Sequence, residues 1–565
     1  MSVFTKKFYL ILLSLYCGWL MAIWLWEYTP YVFCFDDAFY YFEIARNVAQ
    51  GYGPTFDRIN PTNGFHPLWL LLCIPVYWFG FDGLTAVRIL LSCQIMLWLC
   101  VCFIMGHSIN IIISQSRADT ESFPYVAPAK NASRTLWFLF AMLAASPLLL
   151  RTFVNGLESA VYALFYTFLL LQSIIARGRF LSDTSQRWRI LAGGIGGLCF
   201  LSRTDAVLLL TCLGVCCLLE AVSLGFKSLR RLAELFILPG AAFMLFVLFN
   251  YSSFGSPWQV SGEIKRIPLT LSRSSVLAVG LFLSGIIGWL FKNWGTLPKQ
   301  HVSKANLPAH NDKTNFLHLR TFINGTWWFA MFCCLIIVYY TRMQAFPQLW
   351  YFGPLVLYVF LIFLCAVIDI FFNARRDDVR NQPRRSSLKK VTLVISVPLA
   401  LCVIAMNARI ADPRFLSMCI TNQKAGEWIS KNLPPHVILG SWDAGVIGYF
   451  TSQKVINIDG VANSIDYAHA LKNGTAGELL KKQGIAYLVN HGLIENGEDK
   501  ELKQLADKLF GRGTSNSLRL QKSWPFTFRG SSNRFGPGVW SMAVFLYKIE
   551  TEPGGYSDAP LNFLG

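Results

Sequence analysis

Two adjacent carboxylates, Asp36 and Asp37, directly follow the first long apolar run, in the stretch FDDAFYYFEIARNVAQGYGPTFDRINPTNGFHPLW at 35–69. Packing does not call for an acidic pair at a low-dielectric boundary. A carboxylate there can act as general base on a hydroxyl or hold a divalent metal. A plainer role also fits: Asp36 N-caps the following helix and Asp37 is solvated. Ala38 to Gln50 reads as helix, closing near Gly51. Helical spacing places Asp36, Tyr40, Glu43 and Asn47 on one face, with Phe39, Phe42 and Arg46 in a neighbouring stripe. The pattern predicts an interfacial helix with carboxylates at its start.

Other polar residues stand at the ends of apolar runs. His66, before Pro67-Leu68-Trp69, can donate to a lipid phosphate or sit as an interfacial side chain. Trp69 reads as an aromatic-belt anchor. Glu158 lies in the turn Asn155-Gly156-Leu157-Glu158-Ser159, and Arg203 and Asp205 in the turn Arg203-Thr204-Asp205. Charges between apolar spans require pairing or hydration. Arg203 and Asp205 therefore either pair with each other or join Asp36 in a polar site. Lys265, in Gly262-Glu263-Ile264-Lys265-Arg266, and Arg342, before Trp350-Tyr351-Phe352, can neutralise a phosphate or snorkel to the interface.

The elements that must position these residues are membrane spans. The chain has 565 residues, 54% hydrophobic and 15% charged, where a soluble protein carries about a quarter charged. Apolar runs lie near 8–27, 66–81, 84–106, 135–150, 156–176, 189–204, 206–225, 232–250, 275–291, 325–341, 351–373 and 391–408. The first follows Lys6 and Lys7 and lacks a small-residue cleavage site, so it reads as a retained span. The formal net charge of +18 collects in short loops, among them Arg375 to Lys390 and Arg177 to Arg189. Such loops mark the cytoplasmic side; they are topology signals, and nucleic-acid binding is set aside. An inside N-terminus and an outside C-terminus require an odd number of crossings, so eleven or thirteen spans are expected. Of fifteen cysteines, all but Cys34 and Cys419 lie in apolar runs, and that pair admits a disulfide.

Residues 1–408 form the transmembrane part, with a first outer loop at 28–65, and 409–565 change character. Strand-length runs (HVILGS, KVINID, AYLVN, WSMAVFLYKI) alternate with helical pieces (AGEWISKN, AGELLKKQG). This predicts a small α/β domain outside the membrane. Trp442-Asp443-Ala444-Gly445 and Ile458-Asp459-Gly460 follow predicted strands. Asp443 and Asp459 are thus candidate acceptor contacts, although turn chemistry also explains Asp459-Gly460. No Walker loop, GxGxxG or HExxH is present.

Taken in order, these motifs resemble the membrane-embedded glycosyltransferases of the C superfamily, similar to bacterial arabinofuranosyl- and mannosyl-type transferases. The matching features are Asp36-Asp37, the Tyr40–Gly53 helix and turn, Pro67-Leu68-Trp69, Gly156 to Ser159, Arg203-Thr204-Asp205 (Thr for the family's Pro) and Phe254 to Lys265. The resemblance implies sugar transfer from a polyprenyl-phosphate donor to a hydroxyl of a glycan, lipid or protein acceptor. Asp36 would be the base, supported by Asp37. Arg203, Lys265 and Arg342 would bind the lipid phosphate. His66 departs from the small polar residue or Lys usual at its position. The resemblance further implies an active site and C-terminal domain outside a bacterial inner membrane. No cofactor is implied with certainty, and a divalent metal at Asp36 and Asp37 stays open. The alternative is a transporter or flippase of a lipid-linked or anionic substrate. Such a protein would place ionisable groups at mid-membrane in two related halves, whereas these polar motifs gather at span ends.

Overall fold

The structure is a computed structural model describing residues 3–118, 144–182, 184–225, 228–265, 317–343, 348–379, 413–494, 499–511, 514–532 and 536–550. Among them, five helices are long and apolar enough to cross a membrane: Gly83–Ile113, Ala206–Leu224, Ser228–Phe254, Thr321–Tyr340 and Trp350–Asp369. Tyr9–Leu25, Pro67–Trp78 and Ser159–Ile175 are shorter apolar helices, and Gln186–Ser202 covers the expected run at 189–204. The expected spans at 275–291 and 391–408, and most of 135–150, lie outside the described residues.

Small residues decide how the bundle packs. In the helix Gln186–Ser202, a Cβ on Gly193 would lie 2.3 Å from the Leu235 carbonyl oxygen. That contact lets the helix Ser228–Phe254 approach at backbone distance.

The segment between the first helix and Pro67–Trp78 carries a short helix, Thr29–Phe33, and then the helix Asp36–Ala49. Phe35 is the N-cap, in extended conformation, and Asp36 is the first helical residue. The expected N-cap therefore moves back by one position. The interfacial reading is corrected too: every residue from Ala38 to Asn47 is buried. The helix Pro67–Trp78 packs on one side and the C-terminal helix Gly445–Phe450 on another. The Phe39 and Phe42 rings lie 5.5 and 6.1 Å from that of Tyr449. A face that would rest on lipid in an isolated loop is covered by the C-terminal domain instead.

That domain opens with the helix Pro413–Asn432 and holds a mixed five-stranded sheet: β1 Ile438–Ser441, β2 Lys454–Asn457, β3 Ile485–Leu493, β4 Leu518–Ser532 and β5 Gly536–Ile549. The order is β2-β1-β3-β5-β4. β1 pairs in parallel with both β2 and β3, while β3–β5 and β4–β5 are antiparallel. The four strands read from sequence are present. β4 was missed because Pro525 interrupts its alternation; the strand lies at the sheet edge, where Pro is tolerated. The turn after β1 and Asn457, the last residue of β2, reach the helix Asp36–Ala49.

Candidate active site

Adjacent residues on a helix point about 100° apart, and this separates the two aspartates. The Asp36 carboxylate is committed to the C-terminal domain. Its Oδ2 accepts the Gly445 N–H at 2.9 Å and its Oδ1 the Val446 N–H at 2.8 Å. Tyr40, one turn on, follows the same stripe: its hydroxyl accepts from the Ala444 N–H at 3.0 Å and from Asn457 Nδ2 at 2.9 Å. Asp37 and Tyr41 form the next stripe and line a cavity of about 290 Å³.

Membrane-helix ends and loops build most of this cavity. Glu158, at the N-cap position of Ser159–Ile175, makes no capping bond. It accepts from the Tyr41 hydroxyl at 3.0 Å and pairs with Arg203 Nη1 at 3.3 Å. Asp205 takes Arg203 in a two-pronged bond, Nε to Oδ1 at 3.1 Å and Nη2 to Oδ2 at 2.9 Å. Arg203 pairs with Asp205, and the pair lines the cavity together with Asp37 rather than Asp36. Burial acts against the Asp205 charge, but Arg203, with the Tyr340 hydroxyl and His66, outweighs it and holds the carboxyl below its ordinary range. Arg203 is thereby shared between two buried carboxylates.

His66 Nδ1 lies 3.2 Å from Gln259 Nε2, and its Nε2 faces Glu158 Oε1 at 3.8 Å. The Gln259 amide also receives the Thr204 hydroxyl at 3.0 Å on its oxygen, so its nitrogen donates to His66. The imidazole proton then sits on Nε2. Burial lowers the His66 pKa, with Glu158 opposing; the neutral ring is the form at pH 7.

Lys265 is the cation with the loosest pairing in this lining. Its Nζ stands 4.0 Å from Asp37 Oδ2 and donates to the Tyr351 hydroxyl at 3.3 Å. The Lys265 and Asp37 side chains remain 34% and 41% exposed, so the pair sits at an opening. Burial acts against the Lys265 charge, and Asp37, Tyr351 and Asp459 together outweigh it and hold the ammonium above its ordinary value. Desolvation pushes Asp37 above the usual carboxylate range; Lys265 opposes, while Asp443 and Glu158 add to it. Tyr351 stacks on Tyr340 with ring centroids 4.4 Å apart, giving the cavity an aromatic wall.

The cavity thus brings together six expected residues: Asp37, His66, Glu158, Arg203, Asp205 and Lys265. Asp36, Asp443 and Asp459 do not line it. Asp443 Oδ2 faces His491 Nε2 at 3.4 Å, and Asp459 Oδ1 accepts the Val461 N–H at 2.9 Å in its own turn. The side chain of Arg342 lies outside the described residues. Trp69 is not a lipid-facing anchor: it is 1% exposed, and its indole N–H donates to the Gly156 carbonyl at 2.9 Å. Cys34 and Cys419 are buried free thiols. Sequence reading missed Tyr41, Gln259, Tyr340 and His491. Only Tyr41 carried a signal, its four-residue spacing from Asp37.

A divalent ion held by Asp36 and Asp37 together would share the Asp36 oxygens with two backbone N–H donors. Among the described residues, no three His, Cys, Asp or Glu side chains converge as a ligand set.

Comparison with known proteins adds the following. Residues 415–542 match a family described as a domain of unknown function, DUF8728. No curated protein sequence matches. Among solved structures, the Archaeoglobus fulgidus oligosaccharyltransferase in complex with zinc and sulfate is similar at 13% identity, over 89% of this chain and 69% of its own, with a TM-score of 0.44. ArnT from Cupriavidus metallidurans, in its apo state, is similar at 12% identity over 94% and 98%, TM-score 0.44. ArnT bound to undecaprenyl phosphate is similar at 12% over 94% and 97%, TM-score 0.45. At this level of similarity residue roles do not transfer, and those in this chain rest on its own geometry.

Proposed function

We propose that this chain transfers a sugar from a polyprenyl-phosphate donor to an acceptor hydroxyl at the outward face of the membrane. The observation that carries this reading is a carboxylate and an ammonium facing each other at 4.0 Å at the opening of one cavity, Asp37 and Lys265. Transfer needs a base for the acceptor hydroxyl and a cation for the departing phosphate. Asp37, with its raised pKa, takes the hydroxyl proton as the oxygen attacks the anomeric carbon. The bond from that carbon to the phosphate oxygen breaks, and Lys265 receives the developing phosphate charge. Phosphate leaves as a stable anion, so no second acid is required. Arg203, neutralised by Glu158 and Asp205, shapes the cavity rather than meeting the phosphate as a free cation. The basic loops read from sequence support the outward placement.

The test is sugar transfer by full-length protein in proteoliposomes, from polyprenyl-phosphate-mannose and polyprenyl-phosphate-arabinose assayed side by side. Asp37→Asn is expected to abolish transfer while leaving insertion and melting unchanged. Transfer surviving in that variant rejects Asp37 as base. Lipid movement across the bilayer without transfer favours the flippase.

A further inference from the structure

The mechanism above uses Asp37 and leaves its neighbour without a chemical task, although Asp36 is the more elaborately bonded of the two. Both Asp36 oxygens are filled by consecutive backbone N–H groups, those of Gly445 and Val446, at 2.9 and 2.8 Å. The fit is close: a Cβ on Gly445 would lie 2.1 Å from the Asp36 carbonyl oxygen. The turn and the helix Gly445–Phe450 that follows it are held at two further points. The Tyr40 hydroxyl takes the Ala444 N–H at 3.0 Å, and Arg46 Nη2 donates to the Tyr449 carbonyl at 3.0 Å. One helix of the 26–66 segment therefore grips the end of the turn after β1 and the helix that follows it. Asp443 begins that turn, two residues before Gly445, with His491 of β3 at 3.4 Å on its other side.

We propose that Asp36 is a positioning residue. By accepting the Gly445 and Val446 N–H groups it fixes the turn after β1 against the helix that carries Asp37, and the acceptor side of the site is built on the C-terminal domain held there. The catalytic loop and the C-terminal domain then work as one unit. Separating them leaves the donor side, built around Lys265 and the membrane helices, in place. The kinetic part of this inference rests on the transferase reading; the mechanical part does not.

The test uses full-length protein in nanodiscs with three variants, Asp36→Asn, Gly445→Ala and Asp37→Asn. Gly445→Ala keeps the Asp36 charge and disturbs only the fit. Amide exchange at 444–446, binding of undecaprenyl phosphate, and transfer from the two mannose and arabinose donors are measured on each. Asp36→Asn and Gly445→Ala are expected to speed exchange at 444–446 at least tenfold. They should raise the acceptor KM at least tenfold and leave undecaprenyl phosphate affinity within twofold. Asp37→Asn is expected to lose transfer with exchange unchanged. Two results overturn the proposal: loss of transfer in Asp36→Asn with exchange unchanged, which makes Asp36 chemical, and faster exchange with an unchanged acceptor KM, which makes the contact merely structural. If wild-type protein fails to bind undecaprenyl phosphate, the donor reading falls, while exchange at 444–446 still decides whether Asp36 holds the turn.

Discussion

Asp37 Oδ2 and Lys265 Nζ stand 4.0 Å apart at the opening of the cavity, each still partly exposed. A tightly closed ion pair would be inert; at this spacing the two groups do not hydrogen-bond each other directly, and a ligand oxygen can bridge them from the side. Lys265→Gln is expected to lower undecaprenyl phosphate affinity at least tenfold. Asp37→Asn should leave that affinity intact and remove transfer, a loss of about 100- to 10,000-fold for a missing base. Titrating the lipid against both variants checks the division, and equal loss of binding in the two would sink it.

The pH profile should carry the same signature. Desolvation raises Asp37, Lys265 opposes, and Asp443 and Glu158 reinforce. A base with a raised pKa stays protonated where a free aspartate, at about 3.9, has ionised. The acid limb of kcat/KM is therefore expected above the ordinary carboxylate range. Lys265→Gln removes the opposing charge, so residual activity should show the limb at higher pH; Asp443→Asn should move it lower. A limb indifferent to both substitutions would mean that another group titrates.

Arg203 holds two buried carboxylates, with side-chain exposures of 3% for itself, 6% for Glu158 and 7% for Asp205. Arg203→Ala leaves both uncompensated, at a cost of about 3–5 kcal/mol. A large fall in melting temperature in detergent is expected. Arg203→Lys should recover part of it, because an ammonium keeps the charge but loses the two-pronged bond. An Arg203→Ala protein that melts like wild type would show the carboxylates to be solvated.

Trp69 offers a smaller, sharper test. Trp69→Phe keeps a ring in the pocket and removes the N–H that meets the Gly156 carbonyl. A loss of about 1 kcal/mol is expected from one unmade bond, measured as a shift in thermal midpoint. A shift in undecaprenyl phosphate affinity instead would place Trp69 in the lipid site.

Chelation should separate the two ways of using an acidic pair. Each Asp36 oxygen already accepts a backbone N–H, while Asp37 lies on the next helical stripe and lines the cavity, so the two carboxylates serve different partners. Transfer is expected to persist in EDTA. Loss of activity restored by Mg²⁺ or Mn²⁺ would require a metal held through other ligands.

How far the site could be read from sequence depended on the distance between partners. The order of polar motifs at span ends was legible because each lies within a few residues of its apolar run. Strands β1, β2, β3 and β5 showed in short apolar runs for the same local reason. The division of labour between Asp36 and Asp37 was not legible. It follows from which helical stripe meets Gly445, and no local rule links positions 36 and 445. The burial of Ala38 to Asn47 escaped for the same reason, since the covering helix Gly445–Phe450 lies far along the chain. His491 gave no signal because strand register alone brings it to Asp443.

The Asp36–Gly445 bond spans 409 positions, and that span sets an order of manufacture. At about 5–20 residues per second, the ribosome needs about 20 to 80 seconds after Asp36 emerges before Gly445 exists. For that interval the buried rings of Phe39 and Phe42 have no Tyr449 to pack against. A nascent chain must keep this helix out of trouble, by lipid contact or by a chaperone. Truncation before the C-terminal domain leaves the Phe39 and Phe42 rings permanently without Tyr449.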